Sequence, residues 1–409
     1  MSFWEKYLEQ GIGITHVTIQ DVIMILVALG LMYLAIGKKF EPLLLLPLAF
    51  GMLIANIPLA GLSVYHFREV PMLDALGHQM FTEAGELITQ QIPGLMNILY
   101  SGIKYVVYPP LVFLCIGTMT DFGPLIANPK LAIIGVAAQF GIYVAFGLAL
   151  LTGLVFGGLI PGFEGFSFHE AAAIGIIGGA DGPTAVYTSS RLAPELLSSI
   201  SIAAFSYMAL VPFIQPPIMK LLTNDKERLI VMPEPKKVTQ RQKIIFPIAM
   251  AIVILFLVPS AGVLAGPLML GNLLRESGVT KRFMTTLQEP LLNVLTIAVG
   301  LTIGASAKAE FFLTFKTLLI IALGLIAFVF GTTGGVLVAK LMCWITRGKV
   351  NPLIGNAGVS AMPMAARISQ KIGQRYDPQN YLLMHAMGPL VAGVIGSSVA
   401  AGIFLSFFG

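Results

Sequence analysis

Two glycine-rich stretches interrupt the hydrophobic pattern of this chain: AAAIGIIGGADGPTAVYTSSRLAP at residues 171–194 and NPLIGNAGVSAMPMAARISQKIG at residues 351–373. Each mixes apolar residues with glycines, proline and polar side chains. A non-helical backbone at membrane depth is tolerated only where it is buried in protein or lines a water-filled cavity. Both stretches therefore predict broken or re-entrant helices at the membrane midplane.

Long apolar segments surround both stretches. A helix that spans a bilayer needs about 20 mostly apolar residues. Residues 262–274 form a weaker, glycine-rich candidate. The stronger candidate spans are roughly 22–37, 43–60, 97–119, 130–156, 196–220, 244–262, 289–304, 315–345 and 381–408. This pattern predicts an all-α polytopic membrane protein.

The composition supports the same class. Hydrophobic residues make up 56% of the chain and charged residues 11%, whereas soluble domains carry about 25% charged residues. Because so few charges cannot cover a water-facing surface, we expect lipid to cover most of the surface of a multi-pass membrane protein. The net charge of +5 comes from basic residues scattered among loops, which does not predict nucleic-acid binding. Cys115 and Cys343 lie in apolar runs and are expected to be packing residues.

The loop at residues 220–243 gives the orientation signal. It carries seven basic side chains against three acidic ones. Because loops rich in Lys and Arg stay in the cytoplasm, we place this loop on the cytoplasmic side. The loop at residues 61–92 has one arginine against the acidic residues Glu69, Asp74, Glu83 and Glu86, which favours the opposite side.

The two glycine-rich stretches occupy matching places in the two halves. Each follows a long apolar span and precedes another span that contains small and polar residues. Paired broken helices in corresponding halves point to a transport site. We therefore expect two structural repeats, inverted by analogy with transporters. The predicted division is 1–95 (N-terminal helices), 96–221 (first repeat, broken at 171–194), 222–243 (basic loop), 244–288 (connecting helices) and 289–409 (second repeat, broken at 351–373).

Asp181 is the principal candidate in the first stretch. A carboxylate at the bilayer centre costs at least about 2.5 kcal/mol, so such groups pair, bind an ion or carry a proton. The hydroxyls of the TAVYTSS segment add oxygen atoms, which hard cations such as sodium prefer. The alternative is a capping residue in a surface turn, since Asp-Gly-Pro is a good turn sequence.

The second stretch offers Asn351, Gly355, Asn356, Ser360 and Arg367. Asn351 precedes proline, so helix capping alone would explain it. Asn356 and Ser360 share one face if the segment is helical. The Arg367 guanidinium can grip a carboxylate with two bonds; the alternative is a cytoplasmic topology residue.

Tyr207 lies in SIAAFSYMALVPFIQPP, one helix-loop unit after Asp181. A single tyrosine in a span is usually a packing or interface residue. Its polar neighbours, including Ser206, make a functional stripe the alternative.

The sequences GGADGPTAVYTSSRLAP, SYMALVPFIQPPIMKLLT and NPLIGNAGVSAMPMAAR resemble the beta subunit of sodium-translocating, biotin-dependent carboxylic-acid decarboxylases. That family serves oxaloacetate, methylmalonyl-CoA, malonate and glutaconyl-CoA decarboxylases. The resemblance runs from about residue 17 to the end. It implies a translocase subunit that decarboxylates carboxybiotin and exports Na+ with consumption of a proton.

The resemblance also implies partners and site residues. The carboxybiotin would come from a biotin carrier and carboxyltransferase subunit, since no biotin-attachment lysine motif is present in this chain. A small gamma/delta-type membrane subunit and a homo-oligomer are further expectations. Carried over from the family, the catalytic residues are Asp181, Tyr207 and Arg367, and the sodium ligands are Asp181, Asn351, Gly355 and Ser360. Asn356 and Ser206 are secondary candidates. The Na+ ion is expected at Asp181 and Ser360.

One position departs from the family. Where the family commonly reads GPNVAGVIGS, this chain has Leu390 in place of the asparagine. Two other functions remain alternatives at this stage: a secondary cation/carboxylate transporter without decarboxylase activity, and a silent membrane anchor.

Overall fold

The computed structural model describes residues 13–39, 41–72, 79–80 and 87–409. Asp74, Glu83 and Glu86, which contribute to the predicted side of the 61–92 loop, lie outside the described residues. The described helices are α1 (Ile19–Gly37), α2 (Pro42–Ala55), α3 (Leu95–Lys104), α4 (Tyr108–Met119), α5 (Gly123–Ala127), α6 (Ala132–Ala138), α7 (Phe140–Phe156), α8 (Phe168–Gly175), α9 (Gly182–Leu192), α10 (Leu197–Leu222), α11 (Asp225–Arg228), α12 (Gln240–Leu257), α13 (Gly262–Ser277), α14 (Lys281–Thr286), α15 (Leu292–Ser306), α16 (Ala309–Phe312), α17 (Phe315–Ile345), α18 (Met364–Tyr376) and α19 (Leu383–Phe408).

Shorter elements complete the secondary structure. Six described 3₁₀ segments are Gly13–His16, Pro129–Leu131, Ile176–Gly179, Pro194–Leu196, Pro259–Ala261 and Pro352–Gly358, and Leu287–Leu291 is a π-helical turn. Two strands, β1 (Phe67–Pro71) and β2 (Thr89–Pro93), pair antiparallel. The all-α prediction holds apart from this small sheet.

The spans confirm a multi-pass membrane protein. Among the described residues, six helices are long and apolar enough to cross a membrane, or up to eight if each of two bent pairs is one span. The six are Ile19–Gly37, Pro129–Phe156, Gln240–Leu257, Lys281–Ser306, Phe315–Ile345 and Leu383–Phe408. α2 is shorter than the predicted span 43–60, because it ends where the Asn56 amide donates to the carbonyls of Met52 and Ala307.

The chain divides into two compact units: Met1–Tyr105 with Ile297–Leu313, and Val106–Thr296 with Thr314–Gly409. In the first unit, the Ala309 N–H donates to Asn56 Oδ1 (2.8 Å), which secures the end of α2. The second unit contains both glycine-rich stretches. The predicted five-part division and the inverted repeat remain predictions.

The core of the second unit is built around the two stretches. One buried cluster joins Ala180 of the first stretch with Leu353 and Val359 of the second, and Ile134 of α6 packs with them. Glycines allow this close approach: at Gly178 a methyl group would collide with the Gly141 and Ile142 backbone of α7. The backbones therefore pack closely enough to bring polar groups of several elements together.

Candidate functional site

The first helix break lies at Ala180 and Asp181. The 3₁₀ turn after α8 ends at Gly179, and α9 starts at Gly182. Ala180 between them adopts the left-handed conformation, with φ of 51°. Non-glycine residues rarely adopt positive φ, and strain of this kind concentrates at functional sites. The break places Asp181 between two helix ends.

Asp181 is a buried carboxylate. Its side chain is 5% exposed, and Oδ2 accepts hydrogen bonds from Thr184 Oγ1 (2.7 Å) and Ser397 Oγ (2.8 Å). The ion pairs found among the described residues all involve other carboxylates. An unpaired buried charge is costly, so such a group binds a cation or takes up a proton. The burial rules out the alternative of a surface turn.

The second helix break runs from Val359 to Pro363, between the 3₁₀ segment and α18. The Ser360 N–H donates to the Gly179 carbonyl (3.0 Å), so the two broken segments meet, as their matched placement predicts. Ser360 is 4% exposed, and its hydroxyl has no hydrogen-bond partner among the described residues. The hydroxyl is therefore available to a ligand near Asp181.

The second stretch is not one continuous helix, so the condition for a shared helix face is not met. The 3₁₀ segment ends at Gly358, so Asn356 and Ser360 do not share a helix face. α18 starts only at Met364, so Ser360 and Arg367 do not lie on one continuous helix. The physical reason is the non-helical backbone of residues 359–363, which ends in a turn that contains Pro363.

Asn356 forms a polar network with other protein groups. Its Nδ2 donates to Gln215 Oε1 (2.8 Å) and to the Ala365 carbonyl (2.9 Å), and its Oδ1 accepts from Ser369 Oγ (2.5 Å). Gln215 Nε2 donates in turn to the Asn356 carbonyl (3.1 Å). This network connects α10, the 3₁₀ segment Pro352–Gly358 and α18 on the two sides of the second break.

Asn351 and Gly355 lie on the same 3₁₀ segment but have different neighbours. Asn351 Nδ2 donates to the carbonyls of Arg228 (3.1 Å) and Ile230 (2.8 Å), and its Oδ1 caps the Leu353 N–H (2.9 Å). Gly355 packs against the backbone of α17 at Gly335, where a methyl group would collide. The sodium-binding role of both residues stays a prediction.

Arg367 is exposed on the first turns of α18. It lines a groove of about 410 Å³ together with Gln370, Lys371, Gln374, Arg375 and Leu383. The far end of α18 adjoins the basic loop, since Arg228 Nη1 donates to the Tyr376 hydroxyl (2.7 Å). The groove is therefore electropositive and opens to the surface beside that loop.

Tyr207 and Ser206 belong to α10. Tyr207 is 5% exposed; its hydroxyl donates to the Ile321 carbonyl of α17, and its ring lies against Gly324. Ser206 is half-buried. The Tyr207 contacts described here are with α17, not with Asp181, and its catalytic role stays a prediction.

Ser397 is the site residue that the sequence reasoning missed. Its hydroxyl reaches Asp181 across 216 residues of sequence. The available signal was the adjacent pair Ser397–Ser398 within the apolar span Leu383–Phe408. Leu390, the departure from the family pattern, is fully buried on the same helix and packs in the hydrophobic cluster around the second break.

The donors at the junction of the two breaks are oxygen atoms, from the Asp181 carboxylate and the neighbouring hydroxyls. The described residues contain no group of three or more His, Cys, Asp or Glu side chains that could hold a metal ion. One carboxylate, several hydroxyls and unwound carbonyls are instead the donors by which broken membrane helices coordinate sodium.

Comparisons with known proteins agree with this chemistry. A family model described as the Na+-transporting oxaloacetate decarboxylase beta subunit matches residues 20–408. The chain is 52% identical over 398 residues to the methylmalonyl-CoA decarboxylase subunit beta of Propionigenium modestum, covering 97% of each chain. It is 50% identical over 400 residues to the glutaconyl-CoA decarboxylase subunit beta of Acidaminococcus fermentans, covering 98% of this chain and 96% of that one. It is 48% identical over 436 residues to the oxaloacetate decarboxylase beta chain of Haemophilus ducreyi, covering 98% of each.

Proposed function

This chain belongs to the Na+-transporting oxaloacetate decarboxylase beta subunit family, and on that premise we propose that it decarboxylates carboxybiotin delivered by a partner subunit. It is the membrane subunit of a sodium-pumping decarboxylase, and therefore a translocase. The observation that carries the proposal is the junction of the two breaks. The Ser360–Gly179 hydrogen bond joins them beside the buried carboxylate of Asp181.

We assign the transported sodium to Asp181 and Ser360. Asp181 supplies the one negative charge at the junction, and the Ser360 hydroxyl supplies a neutral oxygen without a protein partner. A cation at this position would offset the cost of burying the carboxylate. When no sodium is bound, a proton on Asp181 would serve the same purpose, which gives a route for proton uptake coupled to sodium release.

The substrate carboxylate is assigned to the groove on α18. Arg367 is positioned there with Lys371 and Arg375, so the groove attracts an anion. A guanidinium can hold a carboxylate by two parallel hydrogen bonds. Decarboxylation then breaks the bond between the biotin nitrogen and the carboxyl carbon, carbon dioxide leaves, and the nitrogen takes a proton.

The partners follow from the family. The relatives are beta subunits of multisubunit decarboxylases, so we infer a biotin carrier with its carboxyltransferase, a small gamma/delta-type membrane subunit and a homo-oligomeric arrangement. The location would be the cytoplasmic (inner) membrane, with the basic loop at residues 220–243 in the cytoplasm.

The test is purification of the complex from the native membrane, followed by biotin blotting and reconstitution in vesicles. We expect a biotinylated protein to co-purify, decarboxylation to require sodium, and radioactive sodium to move with turnover. Sodium transport that continues after the biotinylated protein has been stripped away would instead identify a secondary transporter.

A further inference from the structure

Gln139 interrupts the membrane span Pro129–Phe156 at the junction of α6 and α7. Its side chain is 4% exposed. Neither the resemblance nor the site assignment above gives it a role. A buried carboxamide inside an apolar span needs partners for both its NH2 group and its oxygen.

The NH2 group has acceptors on three elements. Gln139 Nε2 lies 3.2 Å from the Gly135 carbonyl of its own helix, 3.5 Å from the Gly358 carbonyl next to the second break, and 3.2 Å from the Gly393 carbonyl of α19. An amide turned the other way would place its oxygen against these carbonyl oxygens. The orientation of the side chain is therefore fixed by its neighbours.

The oxygen has no such partner. Gln139 Oε1 is buried and accepts no hydrogen bond from the described residues. It faces the first break. A methyl group placed on Gly179 would lie 3.5 Å from Gln139 Oε1 and 3.2 Å from Ser397 Cβ, so both side chains lie next to Gly179. Ser397 in turn donates to Asp181.

Ser360 presents the second unpartnered oxygen of this region. A methyl group placed on Gly393 would lie 3.3 Å from Ser360 Oγ. The Gly393 carbonyl is one of the three that accept from Gln139 Nε2. Other buried oxygens without a partner occur in the described chain, such as Asn272 Oδ1. Gln139 and Ser360 have contacts that link them to the two breaks and so to the carboxylate.

We propose that the side-chain oxygen of Gln139 is a sodium ligand, which together with the Ser360 hydroxyl forms the neutral side of the cation site next to Asp181. This inference rests on the proposed function. A bound cation satisfies an acceptor that has no donor, and the three carbonyls around Nε2 hold the oxygen in place before the ion arrives. Gln139 thereby connects α6, α19 and both breaks to the occupancy of the site.

Two substitutions test the ligand, each in the full complex. Gln139→Met keeps the length of the side chain and removes the oxygen, and we expect the half-saturating sodium concentration to rise about tenfold or more. Gln139→Glu puts an ionisable oxygen in the same place. Because sodium and a proton then compete for that oxygen, the half-saturating concentration should fall with rising pH more steeply than in the parent.

Asn272 provides the matched control. It is a fully buried carboxamide of the same unit, its Nδ2 donates to the Thr120 carbonyl (2.7 Å), and its oxygen also has no partner among the described residues. Asn272→Asp should leave the sodium dependence and its pH profile as in the parent. Equal shifts at both positions would show a general packing effect and overturn the ligand assignment.

The outcomes separate this inference from the proposed function. A parent complex that shows no sodium stimulation contradicts the proposed function itself. A stimulated parent together with unchanged sodium dependence in both Gln139 variants overturns only the ligand assignment. Failure of both variants to assemble with their partner subunits would identify Gln139 as a structural brace and would also overturn it.

Discussion

The first helix break, at Ala180–Asp181, holds a buried carboxylate, whereas the second, at residues 359–363, holds a buried hydroxyl and no charged side chain. The amides near the second break are bonded to protein: Asn356 to Gln215 and Ala365, and Asn351 to the basic loop. The carboxylate of the first break receives bonds from two hydroxyls, Thr184 and Ser397, and pairs with no described basic residue.

This difference indicates that the two helix breaks have different roles, although they occupy similar places in the two halves of the chain. The first break carries the charge that, in the proposed function, a transported cation balances. The second break contributes the neutral Ser360 hydroxyl, its backbone holds the first break through the Ser360–Gly179 hydrogen bond, and α18 beyond it presents Arg367 at the surface. Substitutions should therefore have their largest effect on sodium at the first break and their largest effect on carboxybiotin, or on stability, at the second.

Asp181→Asn should have the largest effect. Asparagine keeps the shape of the side chain and removes the charge that balances sodium or a proton, so we expect sodium transport and sodium-dependent decarboxylation to be abolished. Radioactive sodium uptake and carbon dioxide release in reconstituted vesicles measure the two activities together.

Asp121 serves as the control carboxylate. It lies between α4 and α5 and pairs with Lys243 (3.1 Å). Burial alone would raise the pKa of Asp121, but hydrogen bonds from the Gly123 N–H and from Lys243 hold that pKa below its usual value. Asp121→Asn removes a charge of the same kind and should keep sodium stimulation. Near-normal sodium-stimulated turnover in Asp181→Asn would contradict the charge assignment.

Arg367 tests the second break. Lysine keeps the charge but loses the paired donors, so both Arg367→Lys and Arg367→Ala should be impaired. Losing one charge-assisted hydrogen bond costs roughly 1.5–3 kcal/mol, or about ten- to a hundredfold in apparent affinity for carboxybiotin. The measurement is decarboxylation of free carboxybiotin, beside direct sodium binding. If Arg367→Ala decarboxylates carboxybiotin at the parent rate, Arg367 is a topology residue only.

Ser397 and Ser398 offer a matched pair on α19. Both hydroxyls lie within hydrogen-bond distance of the Val394 carbonyl (3.0 Å for Ser397 and 2.9 Å for Ser398), but Ser397 also reaches Asp181 Oδ2 (2.8 Å). Removing the Ser397 hydroxyl costs about 1 kcal/mol of support for the ionised carboxylate, so a proton competes better with sodium. Ser397→Ala should raise half-saturating sodium about fivefold, and Ser398→Ala should not. Identical sodium titrations for the two variants would show that this hydrogen bond does not matter for the ion.

The sequence is sufficient to predict most of the spans and both breaks, because hydropathy and the positions of glycine and proline are local signals. The places of Ser397 and Gln139 were not predictable, since both depend on contacts with distant parts of the chain. The hydrogen-bond partners of the Asn351 side chain could not be predicted from the sequence either. Its capping role is visible in Asn351-Pro352, but its bonds to Arg228 and Ile230 depend on how the basic loop returns to the 3₁₀ segment.

Substitution of Asn351 should have the smallest effect on the half-saturating sodium concentration, because its side chain bonds only to protein groups. Its Nδ2 donates to the Arg228 and Ile230 carbonyls, and Asn380 Nδ2 donates to the same two carbonyls (3.2 and 3.1 Å). Asn351→Ala thus leaves each carbonyl one donor and removes the cap on Leu353, at a cost of about 1–2 kcal/mol. We expect the purified complex to lose activity at a lower temperature, with half-saturating sodium unchanged.

Asn380→Ala should lower the inactivation temperature in the same way, since it deletes the second donor. A several-fold rise in half-saturating sodium for Asn351→Ala but not for Asn380→Ala would instead support the sequence-based assignment of Asn351 as a sodium ligand.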